Sequence, residues 1–278
     1  MTRGVGSGCF SLLLSVAGGM SVASGLALGG ESAVEYEKVL VPIVLRQPLP
    51  GAFGSLWTSE FWVRNDGVQR VDVRWYDWCD VCIESPPPPV PPGVTFRPRM
   101  FAEPLGFQGI FLFVDRQYAS DIEFGLRVRD LSRQSTTWGT EVPVVREAQF
   151  RTNKLSLIDI PAGNGFRQVL RIYEFDGSGV AQVAIRIYKL DPGNVFPSGT
   201  PDPLMGTRIA TFRAAGPDSS SIYPGYIEVS NLIEIAPLTG SERLRIEVEP
   251  LTSGLRYWAF VTVVNNDTQH LTVISPSP

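Results

Sequence analysis

The chain has 278 residues, of which 44% are hydrophobic and 19% are charged, and its formal net charge at pH 7 is −4. So large an apolar fraction excludes extensive disorder, and the excess of acid over base leaves no basic stripe for a phosphate backbone. Nucleic acid is therefore not an expected partner. The 27 glycines and 23 prolines lie between apolar runs, which is typical of an all-β protein with many turns.

The first 33 residues form a leader that differs from the rest of the chain. Arg3 gives a short positive start, an apolar run follows over Phe10–Ala17, and small residues follow over Ser21–Ala33. This order is typical of a signal peptide, with a disordered leader that is retained as the alternative. The apolar run is too short to span a bilayer, so we expect no transmembrane span in the mature chain. We expect an exported protein that is periplasmic, cell-surface or secreted.

Residues 34–151 are predicted to form an N-terminal β-sandwich. A strand over Lys38–Leu45 contains Pro42, which favours a sheet edge or a bulge because proline has no backbone N–H to donate. An alternating run over Trp57–Tyr76 contains an Asn-Asp-Gly turn and predicts a β-hairpin. The run over Asp121–Asp130 alternates apolar and charged side chains, as a strand with one solvated face does.

Residues 152–278 are predicted to form a C-terminal β-sandwich, with the boundary near residues 151–154. The hairpin signature occurs twice more here, over Arg171–Tyr188 and Phe260–Val273. We therefore predict an all-β protein made of two immunoglobulin-like antiparallel β-sandwich domains in tandem.

The three hairpin signatures resemble one another in sequence. The first and third align without gaps at an offset of 200 residues, with identical residues at Val63, Asn65, Gln69 and Val73 of the first copy. The second shares VAIRIY with the VDVRWY of the first. Any half-buried hairpin favours valine in its strands and asparagine at its turn, so duplication and coincidence both stay open.

Three further motifs carry a resemblance to a known group of proteins. They are LVPIVL in the first strand, GAFGSLWTSEFWVRN after it, and YWAFVTVVNNDTQHLTV near the end of the sequence. With them the chain resembles a family of uncharacterised exported bacterial β-sandwich proteins. The resemblance implies export and β architecture, and it brings no activity, cofactor or catalytic residue.

Cys79 and Cys82 form a CxxC motif between a strand-like run and a proline-rich loop. A redox pair needs its first thiol at a helix N-terminus, and a zinc site needs two further soft ligands. We therefore favour a structural disulfide, because an exported chain meets an oxidising compartment. The redox pair and half of a metal site are the alternatives.

Catalytic chemistry finds little support in the sequence. The chain has one histidine, His270, in a predicted strand where an outward-facing polar residue is expected. We predict no catalytic residue, no metal and no cofactor. Glycoside hydrolysis by two carboxylates stays open, because 28 Asp and Glu residues are available and no histidine is required.

Aromatic side chains give the remaining candidate site. Trp57, Trp62 and Trp78 fall close together, and the sequence favours their packing at sheet edges or under loops. A platform on which sugar rings stack is the functional interpretation, and it makes these three residues the candidate ligand site.

The sequence favours a non-enzymatic exported module of the cell envelope that acts through protein–protein contact or as a structural component. Its expected partner is an envelope protein or a polysaccharide. The alternative function is a carbohydrate-binding protein that uses the surface aromatics of the N-terminal domain, and an acid/base glycosidase is the third.

Overall fold

The computed structural model describes residues 34–45, 47–74, 88–98, 109–133, 138–177, 179–190, 199–213, 222–240 and 242–276. Residues 34–278 form one compact unit. The described residues form seventeen strands, and their pairings are antiparallel throughout. The prediction of an all-β, antiparallel architecture is confirmed. Within these ranges no helix is long and apolar enough to cross a membrane.

In chain order the strands are β1 (Tyr36–Val41), β2 (Leu49–Pro50), β3 (Leu56–Asn65), β4 (Val73–Arg74), β5 (Thr95–Phe96), β6 (Ile110–Asp115), β7 (Ile122–Asp130), β8 (Thr140–Glu141), β9 (Val145–Arg146), β10 (Leu155–Pro161), β11 (Phe166–Glu174), β12 (Gln182–Leu190), β13 (Leu204–Thr211), β14 (Gly225–Val229), β15 (Arg243–Pro250), β16 (Tyr257–Asn265) and β17 (Leu271–Ile274). Short 3₁₀ turns lie at Ala52–Gly54, Arg116–Asp121, Glu147–Gln149 and Leu232–Glu234.

These strands form four sheets. Sheet I has the order β4-β6-β1-β9, and sheet II has the order β2-β3-β7-β8 with β5 also paired to β3. Sheet III has the order β10-β15-β12-β13, and sheet IV has the order β14-β11-β16-β17. The order of three strands in each of the first two sheets recurs in the last two. β1, β6 and β4 correspond to β10, β15 and β12, while β3, β7 and β8 correspond to β11, β16 and β17.

The first strand corrects the prediction made from Pro42. β1 ends at Val41 and lies between β6 and β9, so it is an interior strand and not a sheet edge. The ladder stops one residue before the proline, which has no N–H to continue it. Pro42 therefore marks the end of the strand.

Two of the three predicted hairpins are wrong. β3 pairs with β7 in sheet II while β4 pairs with β6 in sheet I, and β11 and β12 likewise lie in different sheets. In both cases the chain crosses from one sheet to the sheet facing it. Alternating strands around a polar turn suit such a crossing as well as they suit a hairpin, because both bury one face of each strand. Only β16 and β17 pair with each other, which confirms the third hairpin.

The turns of the first and third copies nevertheless share one local contact. The side-chain oxygen of Asn65 accepts from the backbone N–H of Gly67 at 2.9 Å, and that of Asn265 accepts from Asp267 at 2.9 Å. This is the Asx turn expected of asparagine. The Asn65 amide also donates to the Val90 carbonyl at 2.8 Å, so the first turn is fixed to a neighbouring loop instead of closing a hairpin.

Two hydrophobic cores meet at sheet IV. The inner face of this sheet, with Ile172 and Ala259, belongs to a core shared with sheet III. Its outer face, with Tyr173 and Phe260, belongs to the core of sheets I and II. Both faces of β16 are thus buried, which explains why YWAFVTVV reads as a nearly continuous apolar run instead of alternating.

Aromatic contacts join the two halves of the chain at this junction. The Phe175 ring lies 5.0 Å from that of Phe150 and 5.7 Å from that of Phe111. The buried Tyr173 hydroxyl donates to the Pro42 carbonyl at 2.8 Å. The predicted boundary between residues 151 and 152 stays a prediction, since one compact unit spans both sides of it.

The turn before β15 is fixed by one carboxylate. Glu242 is buried and accepts from the backbone N–H groups of Thr239 (2.9 Å) and Gly240 (2.8 Å), and from the Thr239 hydroxyl. The hydroxyl bond first, and then the backbone bonds, lower the pKa of Glu242 from its ordinary 4.5 to about 2. The folded state therefore favours the ionised form.

We expect this carboxylate to make stability depend on pH. Because the folded pKa lies below the unfolded one, the contribution is complete above about pH 4.5 and is lost as the pH falls toward 2. Glu242→Gln should lower the urea midpoint at pH 7 and reduce the decline between pH 5 and pH 3. The exposed Glu123 gives the matched control, Glu123→Gln, whose profile should follow the parent. Parallel profiles for parent and Glu242→Gln would contradict the assignment.

Candidate functional site

The two described tryptophans of the candidate platform lie on opposite faces of β3. Trp57 and Trp62 are five residues apart on one strand, so their side chains point to opposite faces of sheet II. Trp57 is 8% exposed and belongs to the core, whereas Trp62 is half-buried on the outer face. Trp78 lies outside the described residues, as do Cys79 and Cys82 of the predicted disulfide.

Trp62 lies flat against Gly125, its partner across β3 and β7. A Cβ atom at Gly125 would come within 1.9 Å of the Trp62 ring, so the glycine makes room for the indole. The Arg127 guanidinium lies 5.0 Å from the Trp62 ring centroid and 5.6 Å from that of Trp138, which is 74% exposed. These contacts hold the Trp62 indole against sheet II, where it lines a shallow cavity of about 300 Å³.

We expect Gly125→Ala to displace the Trp62 indole. The added methyl group occupies the position of the ring, and overpacking of this kind destabilises by about 1–3 kcal/mol. The measurements are the urea midpoint and acrylamide quenching of tryptophan fluorescence, which should increase as Trp62 becomes exposed. Gly165→Ala is the matched control, because its added Cβ meets nothing within 4 Å. Unchanged quenching in Gly125→Ala would contradict the expected displacement.

An open cleft of about 580 Å³ lies over sheet IV. Its floor is the outer face of sheet IV, where β11, β14, β16 and β17 present side chains. One wall is the segment from β2 to the start of β3, including Pro50 and Trp57. The rim carries the exposed side chains of Phe166 (36%) and Ile233 (58%). A cleft of this volume accommodates a ligand of drug or oligosaccharide size.

An ion pair between a buried arginine and a half-buried glutamate lies on the floor of the cleft. Arg171 is 5% exposed, and its guanidinium donates from Nε to Glu228 at 3.1 Å and from Nη1 to the Thr262 hydroxyl at 3.0 Å. The other Glu228 oxygen accepts from the Ser230 hydroxyl at 3.0 Å. These bonds neutralise both charges and fix the polar groups on rigid strands, which is how a preformed binding surface is built.

Arg167 lies four residues before Arg171, on the same face of β11. Its guanidinium donates to the side-chain oxygens of Asn266 (2.8 Å) and Gln269 (2.6 Å) and stacks over the Phe53 ring at 5.0 Å. Burial first, and then repulsion from Arg133, lower the pKa of Arg167. Its hydrogen-bond partners are neutral, so this end of the cleft carries positive charge.

The described lining of the cleft offers hydrogen-bonding, charged and apolar side chains. Glu228 is the one carboxylate among the described lining residues, whereas glycoside hydrolysis needs two that face each other. His270 is exposed and lies in the turn before β17, outside the described lining. Within the described ranges, no three His, Cys, Asp or Glu side chains are grouped so that they could hold a metal ion.

The sequence did not single out the charged residues of the cleft. A signal was present, because FRQVLRIYE places Arg167 and Arg171 four residues apart, on the strand face that also carries Val169 and Tyr173. An arginine pair on a strand buried on both faces requires partners, and those partners come from elements distant in sequence. The third member, Glu228, is 57 residues away from Arg171.

Comparison with protein-family models, with curated proteins and with solved structures finds no match to this chain. The resemblance to the exported β-sandwich family therefore stays a prediction.

Proposed function

We propose that the protein is a non-enzymatic, exported carbohydrate-binding protein of the cell envelope, and that the cleft over sheet IV is its binding site. One observation carries the proposal. The cleft joins a polar floor of fixed side chains, including Thr262 and Ser230, to a rim with an exposed Phe166 ring. Sugars present hydroxyl groups and apolar ring faces together, and such a surface complements both.

The finer fold assignment belongs to the same proposal. In an immunoglobulin fold, strands B, E and D are neighbours in one sheet and C, F and G in the other. The orders β10-β15-β12 and β11-β16-β17 follow that pattern, as do β1-β6-β4 and β3-β7-β8. This order supports two immunoglobulin-like sandwiches in tandem, over residues 34–151 and 152–278.

Tyr257 supports the assignment for the second sandwich. It begins β16, which holds the position of strand F, and its buried ring carries a hydroxyl 2.7 Å from the Val248 carbonyl nine residues upstream. A tyrosine near the start of strand F that bonds back to upstream backbone is a hallmark of immunoglobulin domains. Burial raises the pKa of Tyr257, so the hydroxyl stays protonated and can donate.

The test is binding to a broad panel of neutral and acidic glycans by the parent and a cleft-blocked variant. Ser230 lines the cleft and is exposed, so Ser230→Trp fills the cleft without disturbing the core. We expect a glycan that binds the parent to bind this variant at least tenfold more weakly. Ser253→Trp changes an exposed serine outside the described lining and should bind as the parent does. Absence of binding across the panel would reject the proposal.

A second candidate, contact with an envelope protein, is favoured by one sheet edge. β13 pairs only with β12 among the described strands, and Leu204 and Ile209 on it are 54% and 63% exposed. An eight-residue edge strand with exposed apolar side chains is a surface to which another chain adds a strand. A photo-crosslinker at Ile209 that captures the same protein repeatedly, while one at the exposed Val180 does not, would favour this function.

A further inference from the structure

The cleft carries one positive charge that the floor of sheet IV does not balance. Arg171 and Glu228 form an ion pair at 3.1 Å and cancel. The described contacts of Arg167 are two neutral oxygens and an aromatic ring, with no carboxylate among them. In the described part of the cleft lining, the charged side chains therefore sum to one positive charge.

The Arg167 guanidinium is held in place before any ligand arrives. Gln269, one of its acceptors, is fully buried and adopts a backbone φ of 54°, which is unusual for a residue other than glycine. Its side-chain amide also donates to the Asn266 carbonyl, so both acceptors belong to one fixed turn. Orientation of a charged group by neutral partners leaves its charge available to a ligand.

The ring beside Arg167 is fixed by a second arginine. Phe53 is 61% exposed, and its carbonyl accepts from Arg133 at 2.7 Å. Arg133 also contacts Asp130 at 3.4 Å, so its own charge is compensated. An exposed ring stacked on an oriented guanidinium presents an apolar face and a cation side by side.

We propose that the cleft binds an acidic polysaccharide, with the carboxylate of a uronic acid unit at Arg167 and the ring faces of the sugars against Phe53 and Phe166. This inference rests on the proposed function, carbohydrate binding in the cleft, and adds the charge of the ligand. A bidentate or charge-assisted bond from arginine suits a carboxylate, and one positive charge in the cleft suits one carboxylate there.

A polysaccharide fits the cleft better than an acidic peptide. Peptides that bind along a sheet use an open strand edge with free backbone donors. The wall of the cleft is the two-residue strand β2, which contains Pro50 and so offers few donors. The floor instead offers side-chain groups, including the Ser230 hydroxyl and the Asn231 amide, which suit sugar hydroxyls.

The experiment is calorimetric titration of the full chain with oligosaccharides of galacturonic, mannuronic and glucuronic acid, with their methyl esters, and with hexaglutamate. We expect at least one acidic oligosaccharide to bind at least tenfold more tightly than its ester, since the ester has lost the charge that Arg167 meets. Arg167→Gln should remove this preference, because the affinity for the acidic oligosaccharide should fall to that for its ester. Arg127→Gln, on the outer face of sheet II, should bind as the parent does.

A second variant tests the same contact independently of whether Arg167→Gln folds. Phe53→Ala removes only an exposed ring, and loss of the stacking contact should reduce the preference for acid over ester roughly threefold. If acid and ester bind equally and Ser230→Trp abolishes both, the charge inference is overturned while carbohydrate binding stands. If hexaglutamate binds more tightly than every uronate oligosaccharide, the assignment of the ligand as a sugar is overturned. If no oligosaccharide binds, both proposals fail.

Discussion

Phe260→Ala is expected to destabilise the whole described fold by about 3–5 kcal/mol. The ring is fully buried on the outer face of sheet IV, where its centroid lies 5.1 Å from Trp258 and 6.1 Å from Tyr173. Its removal opens a cavity in the core that sheet IV shares with sheets I and II. The measurement is chemical denaturation, with Ile209→Ala as control, since that side chain is 63% exposed and should change stability by about 0.5 kcal/mol or less.

The same variant tests whether the two halves unfold as one. Sheet IV closes both cores, so amides of β6 and of β15 should exchange with solvent at rates that increase by the same factor in Phe260→Ala. Faster exchange in β15 with unchanged exchange in β6 would contradict this coupling. It would instead favour two domains that unfold separately at the predicted boundary.

Asp130→Ala should have the next largest effect, a loss of about 2–3 kcal/mol. This fully buried carboxylate ends β7 and accepts from the backbone N–H groups of Leu56 (2.7 Å) and Ser132 (3.0 Å), and from the Ser132 hydroxyl (2.7 Å). Burial alone would raise the pKa of Asp130, but these bonds and Arg133 together lower it. The variant leaves the Leu56 and Ser132 donors without this acceptor.

The measurement for Asp130→Ala is the urea midpoint at pH 7, with Asp130→Asn as an intermediate case that keeps one acceptor oxygen. Glu141→Ala is the control, because Glu141 forms an exposed ion pair with Arg127 at 2.9 Å and such pairs contribute about 1 kcal/mol or less. A loss in Asp130→Ala no larger than that of the control would contradict the role assigned to the buried carboxylate.

The fold class was predictable because strands and turns have characteristic patterns over short stretches of sequence. The alternation over Asp121–Asp130 predicts β7, and the turn residues after Asn265 predict the third hairpin. Both patterns involve only residues that are neighbours in the sequence. Which sheet a strand joins is decided by partners far away in the chain. The first two hairpins were therefore mistaken for local pairs.

The sequence repeat and the order of strands in the sheets match different pairs of strands. Alignment at an offset of 200 residues compares β3 with β16, yet the strand that holds the position of β3 is β11. The weaker match between VDVRWY and VAIRIY compares β4 with β12, which do hold equivalent positions. Both turns of the first alignment begin with asparagine, as an Asx turn favours. The second alignment pairs β4 with β12, which have equivalent neighbours in their sheets.

The candidate site was less predictable than the fold. Trp57 was singled out and lines the cleft, but Trp62 faces away from it. The sequence shows that they are five residues apart and so lie on opposite faces of a strand. It does not show which of the two faces belongs to the core. Arg167 was not predicted, because its acceptors and the Phe53 ring come from two separate turns of the chain.

The double burial of sheet IV has a kinetic consequence for the cleft above it. One core packs below the floor of the cleft and the other borders it, so the strands of the floor are held rigidly. Association should then proceed in a single step, without the slow phase that follows when a protein rearranges after encounter. Differences in affinity among ligands should accordingly appear in their residence times on the protein.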